Sequence, residues 1–327
     1  MAAEQRLLTA FGPPASPART RDPERPPLRL GLVQERWHAD PDEHLAALTA
    51  GIVTAAGQGA SIVCLQELTL SPYFAITPDG PEAAGAPPED LATGPTFAFL
   101  SAIAAELGIH VHASLYERAD GPDGLGYNTA IVVSPDGELA SRTRKLHIPI
   151  TAGYYEDRYF RPGPATADSF PLTPLPYGDD ASAEAQLACP TCWDQWFPEL
   201  ARAYSLEGAE VIIYPTAIGS EPDHPGFDTQ PLWQQVIVGN GVANGTFMVA
   251  INRIGSEPPL TFYGSSFISD PYGRVLVQAP RDEPAVLVAD LDLDQRRDWL
   301  ELFPFLTTRR PDTYELLTRP RASDRPW

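Results

Sequence analysis

The chain has 327 residues, long enough for a substantial core in one large domain or two smaller ones. A formal charge of −20 argues against nucleic acid or an anionic membrane as a partner, since both need a basic face, and suits a cationic small molecule. No apolar run approaches the ~20 residues of a membrane span, the N-terminus lacks a signal-peptide centre, and three cysteines make no disulfide framework, so a cytoplasmic chain is expected.

Residues 1–27 are rich in Pro, Arg and Ala without periodicity and read as a mobile extension. Leu28 to Val33 reads as a strand. Pro41-Asp42-Glu43 then opens a helix with Leu45, Leu48, Ile52 and Val53 on one face, ended by Gly57 and Gly59. Ser61 to Leu65 is a short buried strand running into Gln66-Glu67. A carboxylate directly after an apolar strand must be solvated, paired or employed, and strand ends gather functional groups in open α/β folds. Tyr73 follows as an aromatic suited to a pocket wall, and residues 75–93 read as a loop.

Phe97, Leu100, Ile103 and Leu107 mark a helix stopped by Gly108. Ile109 to Ser114 alternates as a strand; its His110 and His112 lack nearby metal ligands and read as packing or surface residues. Tyr127 to Val133 and a return strand that reaches Arg142-Thr-Arg-Lys145-Leu-His147-Ile-Pro149 flank a Ser-Pro-Asp-Gly turn at 134–137. The 23 basic residues comprise 22 arginines and one lysine, Lys145. A lone compact ammonium with a tunable pKa marks a position where arginine's planar fork does not serve, or a chance survivor of compositional bias.

Residues 164–185 read as a loop ending in an acidic insert at 179–185. Cys189-Pro-Thr-Cys192 then precedes a helix opened by Pro198 and Glu199. As a zinc site it lacks a second ligand pair, and as a redox pair it stands too far from a βαβ start. A papain-like reading fails because only His224 follows the cysteines. A thiol without histidine needs another base and another positive charge, and Glu67 and Lys145 are the candidates.

Val211 to Tyr214 is a strand with the loop Pro215 to Gly219 at its end, and a helix spans Leu232 to Val242. Phe247 to Asn252, Gly264 to Ile268 and Val286 to Leu291 are further strands. The charged, proline-punctuated tail after Asp292 reads as a segment able to wrap a neighbouring subunit. This mixture of βα alternation and hairpins predicts an α/β sandwich rather than a barrel.

Four blocks in order carry a resemblance: Leu65-Gln-Glu67-Leu, Arg144-Lys145-Leu-His-Ile-Pro149, Tyr155-Glu-Asp-Arg-Tyr-Phe-Arg-Pro-Gly163 and Cys192-Trp-Asp-Gln-Trp-Phe-Pro-Glu199. Over nearly its whole length the chain resembles the nitrilase superfamily of carbon–nitrogen hydrolases. Tyr214-Pro-Thr-Ala-Ile-Gly-Ser-Glu-Pro222, Ala250-Ile-Asn-Arg-Ile-Gly255 and Thr261-Phe-Tyr-Gly-Ser-Ser-Phe-Ile268 make it most similar to the N-carbamoylputrescine amidases within it.

The resemblance implies a four-layer α-β-β-α sandwich over 28–316, a tail at 317–327, and homo-oligomers of dimers or higher. It implies a Glu67–Lys145–Cys192 triad with Glu156 as a second glutamate, and no metal or other cofactor. Cys192 becomes the nucleophile, Cys189 a packing residue, and the Trp193 backbone N–H an oxyanion donor. Tyr73, Trp193, Trp196, Thr216 and Ala217 are the expected substrate-binding residues. The expected reaction cleaves a small ureido or amide substrate through a cysteine thioester, N-carbamoylputrescine giving putrescine, CO2 and ammonia. A β-ureido acid or aliphatic amide is the alternative substrate, and an acyl transferase or non-catalytic scaffold the alternative function.

Overall fold

The computed structural model describes residues 5–81, 85–166 and 169–320. The first sheet takes β1 (Arg6–Ala10), β2 (Leu28–Gln34), β3 (Ile62–Cys64), β4 (His110–Glu117), β5 (Tyr127–Val133) and β6 (Leu139–Arg144). A short hairpin, β7 (Ile150–Thr151) and β8 (Tyr154–Tyr155), follows. The second sheet takes β9 (Thr173–Tyr177), β10 (Ala183–Ala188), β11 (Val211–Thr216) and β12 (Phe247–Asn252). After the hairpin β13 (Ile254–Glu257) and β14 (Leu260–Tyr263), β15 (Phe267–Ser269) and β16 (Val275–Gln278) complete it. The chain then returns to the first sheet as β17 (Ala285–Leu291).

The orders are β1-β17-β2-β3-β4-β5-β6 and β16-β15-β12-β11-β10-β9. Each sheet holds three consecutive parallel strands, β2-β3-β4 and β10-β11-β12. Their inner faces meet in one core, where Leu30, Leu32 and Ile62 pack with Leu175, Leu187, Val211 and Ile213. Burying each such side chain contributes roughly 1.5–3 kcal/mol.

Helices α1 (Pro41–Gly57) and α2 (Pro95–Leu107) cover the outer face of the first sheet. Helices α3 (Pro198–Glu207) and α4 (Gln230–Asn244) cover the second. The layering is therefore the α-β-β-α sandwich that the resemblance implies. Asp40 caps α1 by accepting from the N–H groups of Asp42 and Glu43 at 2.9 and 3.1 Å, just before Pro41 in the first turn. Gly31 lets α1 approach β2, because a Cβ there would stand 2.8 Å from Ala55 Cβ. Among the described residues no helix is long and apolar enough to cross a membrane.

Two expectations are corrected. Residues 1–4 of the expected mobile extension lie outside the described residues, but β1 pairs in parallel with β17, and Arg19 and Arg25 reach across the fold. Arg19 bonds Asp292 and Asp298 at 2.7 and 2.8 Å; Arg25 bonds Glu210 and Asp294 at 2.7 and 3.0 Å. The composition that suggested disorder instead neutralises carboxylates that the C-terminal strand and helix bury. Second, the expected loop 164–185 contains β9, where Thr173, Leu175 and Tyr177 point inward. Its prolines alternate outward on an edge strand, where a missing N–H costs little. The segment after Asp292 opens with α5 (Asp294–Leu302), which docks on its own chain. Trp299 Nε1 donates to the Val242 carbonyl at 3.0 Å.

Candidate active site

Both parallel trios point their carboxyl ends to one end of the sandwich, where open α/β folds place their sites. Glu67 follows β3, Lys145 follows β6, and Glu156 opens a 3-10 turn after β8. Cys192 begins a 3-10 turn, Cys192–Trp196, between β10 and α3. Its φ of +29° is strained for a residue with a Cβ, so the turn must be held from outside. Asp194, fully buried, does this: its carboxylate accepts from the Thr191 N–H at 3.2 Å, the His147 N–H at 3.0 Å and His147 Nδ1 at 2.7 Å. It thereby ties the cysteine turn to the segment that follows Lys145. His147 also stacks on Phe197, with ring centroids 3.6 Å apart.

Lys145 Nζ lies 3.0 Å from Glu67 Oε1 and 2.9 and 2.7 Å from the two Glu156 oxygens. Tyr73 donates its hydroxyl to Glu156 Oε1 at 2.8 Å, and Asn128 Nδ2 donates to Glu67 Oε1 at 2.7 Å. Glu67 Oε2 is buried with no hydrogen-bond partner among the described residues. The backbone around Glu67 is pinned by the buried Arg253, whose Nη2 donates to the carbonyls of Glu67, Leu68 and Ser71 at 3.0, 3.0 and 2.9 Å. Arg253 is itself paired with Glu257 at 2.6 Å, and Glu257 accepts the Tyr73 N–H at 2.6 Å.

Charge follows from burial. Desolvation alone would lower the Lys145 ammonium, but the carboxylates of Glu156 and Glu67 outweigh it and hold it above the usual lysine range. Burial pushes the Glu156 carboxyl up to about 7, against the pull of Lys145 and with the help of the Glu67 charge. Burial, then Glu67, raises the Cys192 thiol well above its ordinary range, opposed by Lys145 and by a hydrogen bond from the Ala217 backbone. The resting nucleophile is thus a neutral thiol that needs a base at the moment of attack.

A cavity of about 350 Å³ opens onto this cluster, lined by Glu156, Cys192, Trp193 and Trp196 together with Tyr154, Ile218, Glu221, Phe227, Thr229 and Leu232. The structure thus brings Glu67, Lys145, Glu156 and Cys192 together, with Tyr73 behind Glu156 and Ala217 touching the thiol. Of the expected substrate-binding residues, Trp193 and Trp196 line the cavity and Tyr73, Thr216 and Ala217 do not; Thr216 is fully buried with its hydroxyl bonded to the Ile251 carbonyl at 3.0 Å, because it is the last residue of β11 rather than part of the loop. Cys189 faces the inter-sheet core with Cys64, and burial pushes its thiol up to about 12.

Sequence reasoning missed Glu221, Tyr154 and Asn128. Glu221 stands in the loop after β11, a strand end of the kind that singled out Glu67. Asn128 is a lone amide entering an apolar strand. A shielded thiol, a carboxylate with a free oxygen and a fixed ammonium make a site for acyl transfer.

The carbon-nitrogen hydrolase family model matches residues 29–301. The chain is 36% identical over 286 residues to N-carbamoylputrescine amidase of Arabidopsis thaliana, covering 85% of this chain and 91% of that one. It is 36% identical over 300 residues to citrullinase of Francisella tularensis, covering 89% and 98%. A solved carbon-nitrogen hydrolase from Helicobacter pylori G27 superposes with a TM-score of 0.78 at 32% identity, covering 90% of this chain and 99% of that one. With its sandwich and buried thiol site, the chain belongs to the carbon-nitrogen hydrolase family and is an amidohydrolase.

Proposed function

We propose that the enzyme hydrolyses the ureide of a cationic amine, N-carbamoylputrescine foremost, through a thioester on Cys192. The observation that carries the choice is Glu221. Its carboxylate lines the same cavity as Cys192, accepts from Thr229 Oγ1 at 3.2 Å, and among the described lining residues no Arg, Lys or His accompanies it. An ammonium at the far end of a short apolar chain is the complement of an acid beyond tryptophan and leucine walls. Citrulline, the substrate named for the Francisella relative, and β-ureido acids carry a carboxylate that this lining leaves without a cation.

In the proposed mechanism Glu67 takes the Cys192 proton as the sulfur attacks the carbamoyl carbon. Lys145 and the Trp193 backbone N–H hold the oxyanion. Glu67 returns the proton to the departing amine, and the same carboxylate activates water to cleave the carbamoyl thioester. The carbamate released yields CO2 and ammonia. Glu156, clamped on Lys145 and bonded by Tyr73, fixes the ammonium and orients the substrate amide. Exposed Leu206, Leu302, Phe303, Leu316 and Leu317 support assembly of this chain into dimers.

A panel of N-carbamoylputrescine, citrulline, β-ureidopropionate, aliphatic amides and nitriles, scored by kcat/KM for ammonia release, tests the reading. The diamine ureide should lead. A lead for β-ureidopropionate would overturn the assignment of Glu221.

A further inference from the structure

Resting on the reading of Glu67 as the base, we propose that Ser114 and Asn128 are positioning residues that reserve Glu67 Oε2 for proton transfer. Asn128 holds both charged partners of the thiol. Its side-chain amide donates to Glu67 Oε1 at 2.7 Å, and its backbone carbonyl accepts the Lys145 N–H at 2.9 Å.

The direction of the amide is fixed in turn. Asn128 Oδ1 accepts the Ser114 hydroxyl at 3.0 Å, and Ser114 Oγ accepts the N–H of Leu68 at 3.2 Å. The chain of bonds therefore leaves the residue next to Glu67 and returns to the Glu67 carboxylate. An ionised carboxylate only accepts, so the amide must turn its NH2 to Glu67 and its Oδ1 to the Ser114 hydroxyl. A flipped amide would set Asn128 Oδ1 against Glu67 Oε1 and lose that bond. Glu67, Ser114 and Asn128 are all fully buried, so bulk water cannot replace a lost partner.

The consequence lies at the last torsion of Glu67. That torsion is soft and nearly two-fold, so a carboxylate alone does not distinguish its oxygens. Here Oε1 takes two donors, Asn128 and Lys145, while Oε2 has none among the described residues. The relay fixes which oxygen meets the thiol proton and later the leaving amine.

The test is steady-state ammonia release from N-carbamoylputrescine by wild type, Glu67→Gln, Asn128→Leu, Ser114→Ala and Ser114→Thr. Asn128→Leu keeps the backbone bond to Lys145 and should lower kcat by roughly 10- to 100-fold with KM little changed. Ser114→Ala should lose less, and Ser114→Thr, which keeps the hydroxyl, should recover most of that loss. Added to Glu67→Gln, Asn128→Leu should have no further effect on kcat, because the base that it orients is already gone. A wild-type kcat in Asn128→Leu, a Ser114→Thr as poor as Ser114→Ala, or an undiminished Asn128→Leu effect in the Glu67→Gln background would each overturn the relay and leave the base assignment standing. A wild-type kcat in Glu67→Gln would overturn the base assignment and the relay with it. Should Asn128→Leu not fold, the Ser114 pair decides alone.

Discussion

The two sheets are built on one plan and do different work. The first runs β2-α1-β3-α2-β4-β5 and the second β10-α3-β11-α4-β12-β15, each with a parallel trio followed by an antiparallel strand. Glu67, Asn128 and Lys145 come from the first sheet, with Glu156 in the connection that leaves it. Cys192, Ala217 and Glu221 come from the second. One half provides fixed charge, the other a nucleophile and cavity walls. Neither half holds the Cys192 thiol and the Glu67 carboxylate together, so the chemistry exists only where the sheets dock. Among the contacts that cross that junction are Arg253 to the Glu67 backbone, Asp194 to His147 and Ser266 to Gln34.

Substitutions in each half should therefore fail in different ways. The largest effect belongs to the charged half: Glu67→Gln should lower kcat by about 10²–10⁴-fold, the range for general acid–base groups, with KM little changed. Lys145→Arg should cost about 10²–10³-fold, since the longer planar fork cannot occupy the place of an ammonium 3.0 Å from Glu67 and 2.7 Å from Glu156. Retained kcat in either variant would erase the proposed division of labour. In the second half, Glu221→Gln should raise KM for N-carbamoylputrescine by roughly 10-fold and leave kcat near wild type. An equal effect on an uncharged ureide would show that Glu221 does not read the ammonium.

The smallest effect concerns stability. Burial holds His112 of the first half neutral, its pKa pushed from 6.5 down to about 3, with no partner among the described residues for either ring nitrogen. Between pH 6.5 and 3 the unfolded chain binds a proton that the folded chain refuses, so stability is lost as pH falls through that window. The slope is about 1.4 kcal/mol per pH unit for one such group. His112→Leu should flatten the fall in urea midpoint between pH 7 and 5; an unchanged slope would place the acid sensitivity elsewhere, His44 being the next buried histidine.

The division between halves also explains what the sequence made legible. Glu67 was visible as a carboxylate after an apolar run, Lys145 as the single lysine, and Cys192 as one of two thiols before a helix. The layered fold was visible in βα alternation and in the family blocks. What remained hidden depends on contacts between distant segments. Nothing local marks Arg6–Ala10 as a strand, because its pairing partner lies at Ala285–Leu291. Thr216 and Ala217 are adjacent in sequence, yet the end of β11 turns one inward and presents the other's N–H to the thiol. β9 was masked by two prolines that an edge strand tolerates. Glu221 needed the cavity, which no periodicity displays.

The most direct measurement of the central claim is a rapid quench of wild type turning over N-carbamoylputrescine, followed by peptide mass mapping of all three cysteines. The expected result is one carbamoyl group on Cys192, none on Cys64 or Cys189, and neither adduct nor ammonia release from Cys192→Ala. Turnover by Cys192→Ala, or a carbamoyl group on Cys189 in its place, would contradict a nucleophile from one sheet activated by a carboxylate of the other.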